Sequence, residues 1–361
     1  MPKNSYRPER VLVQNGAEAY PMTETILNTL GADVPVERFD SEVEGIRRRF
    51  QGRDFSSAKR TLVIAPKKGP FIKKCPGTKG EVCCNYHVAD FIENCDMDCS
   101  YCFLQQMLTN PYLKIHPNVE DLMEEIDGLL NAAPDRILRF GTGEMSDSLS
   151  LDWLTGFTDR FLPFVAAREN LVFEMKTKTD CIDGLKRFRG LGNVVIAWSL
   201  NPQSVVDRNE PGTASLQNRI SAAAECAGLG YRVAFHFDPI IYSDTWETDY
   251  HHVVDLLFDH IPTKRIGWIS LGSLRFHKGN HNLIREQHAD NRDFRGEMIG
   301  CSDGKFRYLR PLRVSTYKSM LEKISSFKTP PPVYLCMEAQ DMWRSVFGNM
   351  SLIKENPEIF A

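Results

Sequence analysis

Between residues 87 and 272 the chain alternates two kinds of segment, and this alternation limits its possible folds more than any other feature. Strand-like runs rich in β-branched and aromatic residues occupy 87–92 (HVADFI), 136–141 (RILRFG), 171–176 (LVFEMK), 193–200 (NVVIAWSL), 231–237 (YRVAFHF) and 265–272 (RIGWISLG). Helix-like stretches fall between them at 119–132, 151–167, 183–189, 215–227 and 248–259. This order predicts an α/β protein, with parallel strands in one sheet and helices packed against it. Six such units are compatible with a doubly wound open sheet or with a partial (β/α) barrel, and periodicity does not choose between them. In both, ligands bind at the carboxyl ends of the strands, so the residues after each strand carry the functional information.

The flanks are less regular. Residues 1–84 combine a strand-like segment (10–13), a helix-like one (23–30), a run beginning TLVIAP at Thr61, and the connection KKGPFIKKCPGTKGEVCC. That connection holds too much Gly and Pro for helix, so this part reads as a small N-terminal α/β layer with a basic linker. Residues 85–275 form the core. Residues 276–361 form a C-terminal extension, a candidate cap on the substrate side, with a helix expected at 314–325 and an apolar stretch, VYLCMEAQDMWRSVFG.

Length and composition, 361 residues with 42% hydrophobic, suffice for a full-sized core plus an appendage. The formal net charge of -3 gives no global attraction to nucleic acid or an anionic membrane. No apolar run suits a signal peptide, and none reaches the ~18 residues of a membrane span. The expectation is a cytoplasmic protein without membrane contact, in which ten cysteines serve as thiols or metal ligands rather than disulfides.

Three of those cysteines lie just past the first strand, in ENCDMDCSYCF: Cys95, Cys99 and Cys102. Zinc sites use paired C-x₂-C elements or add histidines, and this loop has one such pair. A 4Fe-4S cluster is normally held by four thiolates, so three leave one iron open to a substrate or cofactor. Tyr101, between the second and third cysteines, adds an aromatic to the pattern.

C-x₃-C-x₂-C with an aromatic before the last cysteine resembles the signature of the radical S-adenosylmethionine (SAM) superfamily. Within it the chain resembles spore photoproduct lyase and its close relatives, through RVLV, TLVIAPKK, CSYCFLQ, NPYLKIHPNVEDL, NEPGTASLQNRI and FDPIIY, over about residues 8–270. The resemblance implies a partial (β/α)₆ barrel of radical SAM type. It also implies a 4Fe-4S cluster on Cys95, Cys99 and Cys102 whose open iron chelates SAM. An electron from a reductant such as flavodoxin or ferredoxin then cleaves SAM to a 5′-deoxyadenosyl radical. The activity implied is that of a carbon–carbon lyase repairing thymine dimers in DNA.

The same resemblance points to SAM contacts. After the second strand comes RFGTGEMSDS, where Glu144 matches the element that holds the SAM amino group and Ser146 is a second polar candidate. Lys178 matches the cation for the SAM carboxylate, with Lys176 as the fallback. Ser199 and Asn201, ending the fourth strand, match a polar pair directed at SAM, and Asp238 sits where relatives bring backbone toward the adenine. Lyases of this group keep a hydrogen-donating cysteine at the position occupied by Glu144, and a carboxylate is a poor hydrogen-atom donor. Cys336, Cys301 and Cys181 are the candidate replacement thiols, Cys336 foremost because it lies near Glu338 in a tail able to close the barrel. The alternative is radical chemistry on RNA, a peptide or a small molecule.

Upstream, Cys75, Cys83 and Cys84 are compatible with a structural role, an auxiliary cluster or redox protection. The stretch 304–318 interleaves Lys305, Arg307, Arg310, Arg313 and Lys318 with Phe306, Tyr308 and Tyr317, a pattern suited to a nucleic-acid groove. A second basic patch holds Lys67, Lys68, Lys73, Lys74 and Lys79.

Overall fold

The computed structural model describes residues 6–40, 55–75, 77, 80–108, 110–348 and 359. In chain order the strands are β1 (Arg10–Gln14), β2 (Val36–Phe39), β3 (Thr61–Ile64), β4 (Ile72–Lys74), β5 (His87–Ala89), β6 (Ile92–Glu93), β7 (Leu113–Ile115) and β8 (Leu138–Gly141). There follow β9 (Leu171–Thr177), β10 (Val194–Ser199), β11 (Arg232–Ile240), β12 (Ile266–Ser273), β13 (Arg275–His277), β14 (Ile299–Gly300), β15 (Lys305–Arg307) and β16 (Val333–Leu335).

The large sheet has the order β16-β12-β11-β10-β9-β8-β5-β4, parallel except for β4. Its strands from β5 to β12 therefore lie side by side in chain order, with no point at which the order reverses. A doubly wound sheet requires that reversal. Successive crossovers of one hand instead place the helices on one face, and the sheet curls into a half-barrel whose other face becomes the lumen. Alternate residues point into it: His236 Nε2 meets Glu174 Oε1 at 2.7 Å, and Arg139 Nη2 donates to Glu174 Oε2 at 2.8 Å and to the Tyr334 hydroxyl at 3.1 Å.

The N-terminal layer is a second sheet, β2-β1-β3-β7-β6. On β1, Val11 and Val13 face the main core, while Leu12 joins Ala58, Val63 and Tyr112 in a smaller cluster. The run read as one strand at 87–92 divides between the two sheets: β5 pairs with β8, and β6 pairs antiparallel with β7. The chain thus passes from the barrel to the N-terminal sheet just before the cysteine loop.

Other elements depart from the sequence reading in ways local chemistry explains. Gly156, at φ 61°, breaks the 151–167 helix into Asp152–Thr155 and Phe157–Ala166. The 183–189 stretch makes only a 3₁₀ turn, Gly184–Arg187. The expected 314–325 helix begins earlier, spanning Arg310–Ser325 with Pro311 in its first turn. The apolar stretch of the C-terminal extension supplies β16, parallel to β12, and then the helix Gln340–Phe347.

The basic segment 304–318 does not form the cationic face its sequence suggested. Lys305, Arg307 and Arg313 are buried. Arg307 pairs with Glu81 at 2.8 Å and Asp303 at 2.7 Å, Lys305 with Asp303 at 3.1 Å, and Arg313 with Glu338. Buried charges require partners; Asp303 is local, whereas Glu81 and Glu338 are 226 and 25 positions from the arginines they hold. Arg310 pairs with Asp341 at 3.1 Å, while Lys318 is exposed. In the second patch Lys73 pairs with Asp90 at 2.9 Å, and Lys79 lies outside the described residues. The Glu81 loop also bridges Ala339, and Val82 N donates to Glu338 O at 3.0 Å, so segments following the two edge strands β4 and β16 meet. No helix among the described residues is long and apolar enough to cross a membrane.

Candidate active site

The cysteine loop starts at Asn94, whose φ of 74° turns the chain out of β6. Asparagine tolerates this region better than most residues, and its side chain secures the turn by donating to Pro111 O at 2.7 Å and accepting from Cys95 N at 2.9 Å. The far side of the loop rests on residues 209–211. Ser100 N donates to Asn209 O at 2.9 Å, Ser100 Oγ to Asn209 Oδ1 at 2.8 Å, and Asp98 N to Pro211 O at 3.0 Å. The Tyr101 hydroxyl donates to Glu210, which also accepts from Asn201 Nδ2 at 2.8 Å and Arg219 Nη2 at 2.5 Å.

Burial pushes all three thiols up, Cys99 to about 12, so they hold their protons at neutral pH. Among the described residues no group of three or more His, Cys, Asp or Glu side chains is arranged around a single metal ion. A 4Fe-4S cluster asks something different, one thiolate on each of three irons. Three unpaired thiols on one backbone-anchored loop, with the Lys59 charge acting on Cys95 and Cys102 and the Lys178 charge on Cys99 and Cys102, are chemically suited to that group.

The turn after β8 abuts this loop, Ser150 Oγ donating to Asp96 Oδ1 at 2.7 Å. Glycine is required twice in the turn. A Cβ on Gly141 would lie 2.2 Å from the Tyr86 hydroxyl, and one on Gly143 2.3 Å from Lys176 Cβ. Asp147 fastens the turn to the end of β9, accepting from Leu149 N, Ser150 N and Thr177 Oγ1 at 2.9 Å each and from Lys178 N at 2.7 Å. Glu144 is raised by burial, with Lys176 and Arg275 opposing and Asp90 and Asp238 adding to the rise. Ser146 Oγ is buried and has no hydrogen-bond partner, an uncommon state for a hydroxyl.

The remaining candidates divide into two groups. Lys178 is half-buried, its ammonium 5.9 Å from the Tyr101 ring centroid, and Ser199 is half-buried at the end of β10. Asn201 is committed to the protein at both ends of its amide, accepting from the Tyr250 hydroxyl at 2.6 Å and donating to Glu210. Asp238 is gripped by Arg275, and Lys176 sits 4.2 Å over the Tyr86 ring and 4.0 Å from Glu174. Cys336, just after β16, is half-buried, and its thiol is pushed well up by desolvation and then by the charge of Asp238.

Cys75 lies near Glu144, which together with burial raises its thiol to about 12; Cys83 is exposed and Cys84 half-buried. Cys301 belongs to the hairpin containing β14 and β15, and Cys181 follows β9. Sequence reasoning missed Lys59, Asp147, Glu210, Arg219 and Arg275. Glu210 and Arg219 carried a signal inside the NEPGTASLQNRI stretch, and Asp147 inside RFGTGEMSDS.

A half-barrel with a three-cysteine loop at its carboxyl rim and a glycine turn beside it defines a protein of the radical SAM type. The sequence model of the spore photoproduct lyase family matches residues 6–297, and the chain belongs to that family. It is 26% identical over 265 residues to the spore photoproduct lyase of Bacillus subtilis (strain 168), covering 72% of this chain and 75% of that one. It is 25% identical over 283 residues to that of Geobacillus sp. (strain Y412MC61), covering 77% and 80%. A solved spore photoproduct lyase mutant with bound AdoMet and dinucleoside spore photoproduct has the same fold, with a TM-score of 0.77 at 22% identity, covering 93% of this chain and 99% of that one.

Proposed function

We propose that this protein is a radical SAM enzyme that carries a 4Fe-4S cluster on Cys95, Cys99 and Cys102, binds SAM beside it and repairs a thymine-dimer lesion in DNA. Cluster and SAM together supply reductive cleavage of the sulfonium C–S bond, with one electron from a flavodoxin- or ferredoxin-type donor, to a hydrogen-abstracting 5′-deoxyadenosyl radical. The observation that carries this reading is Ser146 Oγ, a buried hydroxyl without a partner, on a glycine turn that abuts the cysteine loop. A bound SAM would satisfy it.

The chain's own residues orient and enclose. Glu144 accepts the SAM amino group and Lys178 its carboxylate, charge-assisted contacts of fixed direction. Ser199 adds a polar contact at the rim, and Asp238 and its backbone flank the adenine. Asn201 acts one step removed, holding Glu210, which holds Tyr101 and thereby the cysteine loop. Since Glu144 stands where relatives keep a donor thiol, hydrogen return to the substrate falls to Cys336, a half-buried thiol that desolvation and the neighbouring Asp238 charge keep protonated. The lesion is supported as substrate by related lyases solved with dinucleoside spore photoproduct.

The test is anaerobic reconstitution with iron and sulfide, then incubation with SAM, reductant and dinucleoside spore photoproduct. The reading expects conversion to the undamaged dinucleotide, with deuterium exchanged between the lesion and 5′-deoxyadenosine. Formation of 5′-deoxyadenosine without any conversion would remove the DNA substrate and leave the radical chemistry.

A further inference from the structure

The cysteine loop lies between two cations of different origin. Lys178 immediately follows the barrel strand β9. Lys59 comes from the N-terminal unit, where it follows the short helix Phe55–Ala58 and precedes β3. It is 5% exposed. Its ammonium donates to the backbone carbonyl of Met97 and to Asp98 Oδ1 at 2.8 Å, both within the Cys95–Cys102 loop. Its own carbonyl accepts the Tyr6 hydroxyl at 2.9 Å, which ties the lysine to the N-terminal strand region.

The pair Lys59–Asp98 is unequal. The lysine side chain is 6% exposed and the aspartate 42%, so water screens the anion while the cation sits in a medium of lower dielectric, where its field extends further. That field acts on Cys95 and Cys102. Burying an ammonium is costly unless it is paired and hydrogen-bonded, and a lysine needed only to brace a loop could be replaced by a neutral donor at less cost.

We propose that Lys59 is a positioning residue for the cysteine loop whose fixed charge raises the reduction potential of the cluster held there. The inference rests on the cluster assignment above. Reduction adds negative charge to the cluster, and a buried cation beside two of its ligands favours the state with the extra electron. The N-terminal layer is then part of the redox site: it carries β6, from which the loop springs, and supplies one of the loop's two cations.

The test compares the parent with Lys59→Met, Lys59→Arg and Asp98→Asn after anaerobic reconstitution, measuring iron and sulfide content and the midpoint potential by EPR-monitored titration. Lys59→Met is expected to titrate at a more negative potential, Lys59→Arg near the parent, and Asp98→Asn, which removes the compensating anion, at a more positive one. Should Lys59→Met fail to retain iron, the Asp98→Asn shift decides. A parent with an intact cluster whose potential ignores these substitutions overturns the proposal alone; a parent that binds no iron overturns the cluster assignment and the proposal together.

Discussion

Arg275 holds both oxygens of Asp238, Nη1 to Oδ1 at 2.7 Å and Nη2 to Oδ2 at 3.1 Å, in the fork-on-carboxylate geometry that fixes orientation as well as charge. Burial alone would raise the aspartate; the guanidinium and the Cys336 thiol hold it low instead. The aspartate therefore stays ionised, and its charge helps keep the Cys336 thiol protonated. Replacing Cys336 by alanine should leave 5′-deoxyadenosine formation within about twofold of the parent while lowering repaired dinucleotide at least tenfold, as read by chromatography of both products. Equal loss of both would assign the thiol to structure rather than hydrogen return.

Ser146 makes a prediction that separates binding from folding. Its hydroxyl has no internal partner to lose, so Ser146→Ala should leave the melting temperature unchanged or slightly raised. If the hydroxyl contacts SAM, affinity should fall by about 1 kcal/mol, roughly fivefold in Kd. Equilibrium dialysis of SAM with reconstituted protein measures this, and an unchanged Kd would remove Ser146 from the cofactor site.

Glu210 and Arg219 form a fully buried ion pair behind the cysteine loop. Burial pushes the Glu210 carboxyl up, but the charges of Arg219 and Lys178 and the hydrogen bonds of Tyr101 and Asn201 win and hold it at about 2. A folded-state value below the ordinary 4.5 means this group stabilises the fold above pH 4.5 and ceases to do so as pH falls toward 2. Glu210→Gln leaves Arg219 buried without a counter-charge and should cost about 3–5 kcal/mol at pH 7. The gap to the parent should narrow below pH 4.5. Urea unfolding at pH 7, 5 and 4 tests this; a gap independent of pH would contradict it.

Gly141 shows why the turn after β8 begins as it does. A methyl group there would lie 2.2 Å from the Tyr86 hydroxyl and 2.4 Å from the backbone carbonyl of Glu174. The tyrosine could move but the neighbouring strand cannot, so Gly141→Ala should destabilise by about 3 kcal/mol or more. Thermal unfolding checks this, and an unaltered melting temperature would show that β8 and β9 can separate locally.

The parts of the fold legible in the sequence were those with short-range signatures. The strands of the half-barrel announced themselves as β-branched runs, and the three loop cysteines lie within eight positions of one another. The helix-like stretch at 215–227 is a helix, Leu216–Gly228, with Ser215 at its N-cap accepting from Asn218 N at 3.2 Å. What escaped depends on contacts distant in sequence. Glu210 reaches Tyr101 across 109 positions and Arg307 reaches Glu81 across 226. A stretch of Lys and Arg shows its charge in sequence but not its partners, which is why 304–318 looked like a nucleic-acid surface and proved to be an internal clasp. The three-residue β16 is too short for periodicity to reveal.

The central claim is that Cys95, Cys99 and Cys102 hold a cluster that cleaves SAM. The most direct measurement is 5′-deoxyadenosine, quantified by mass spectrometry, from anaerobically reconstituted protein given SAM and dithionite. The parent should form it and Cys99→Ala should fall to the level of the protein-free control. Formation by Cys99→Ala equal to the parent, or none by an iron-loaded parent, would contradict the account.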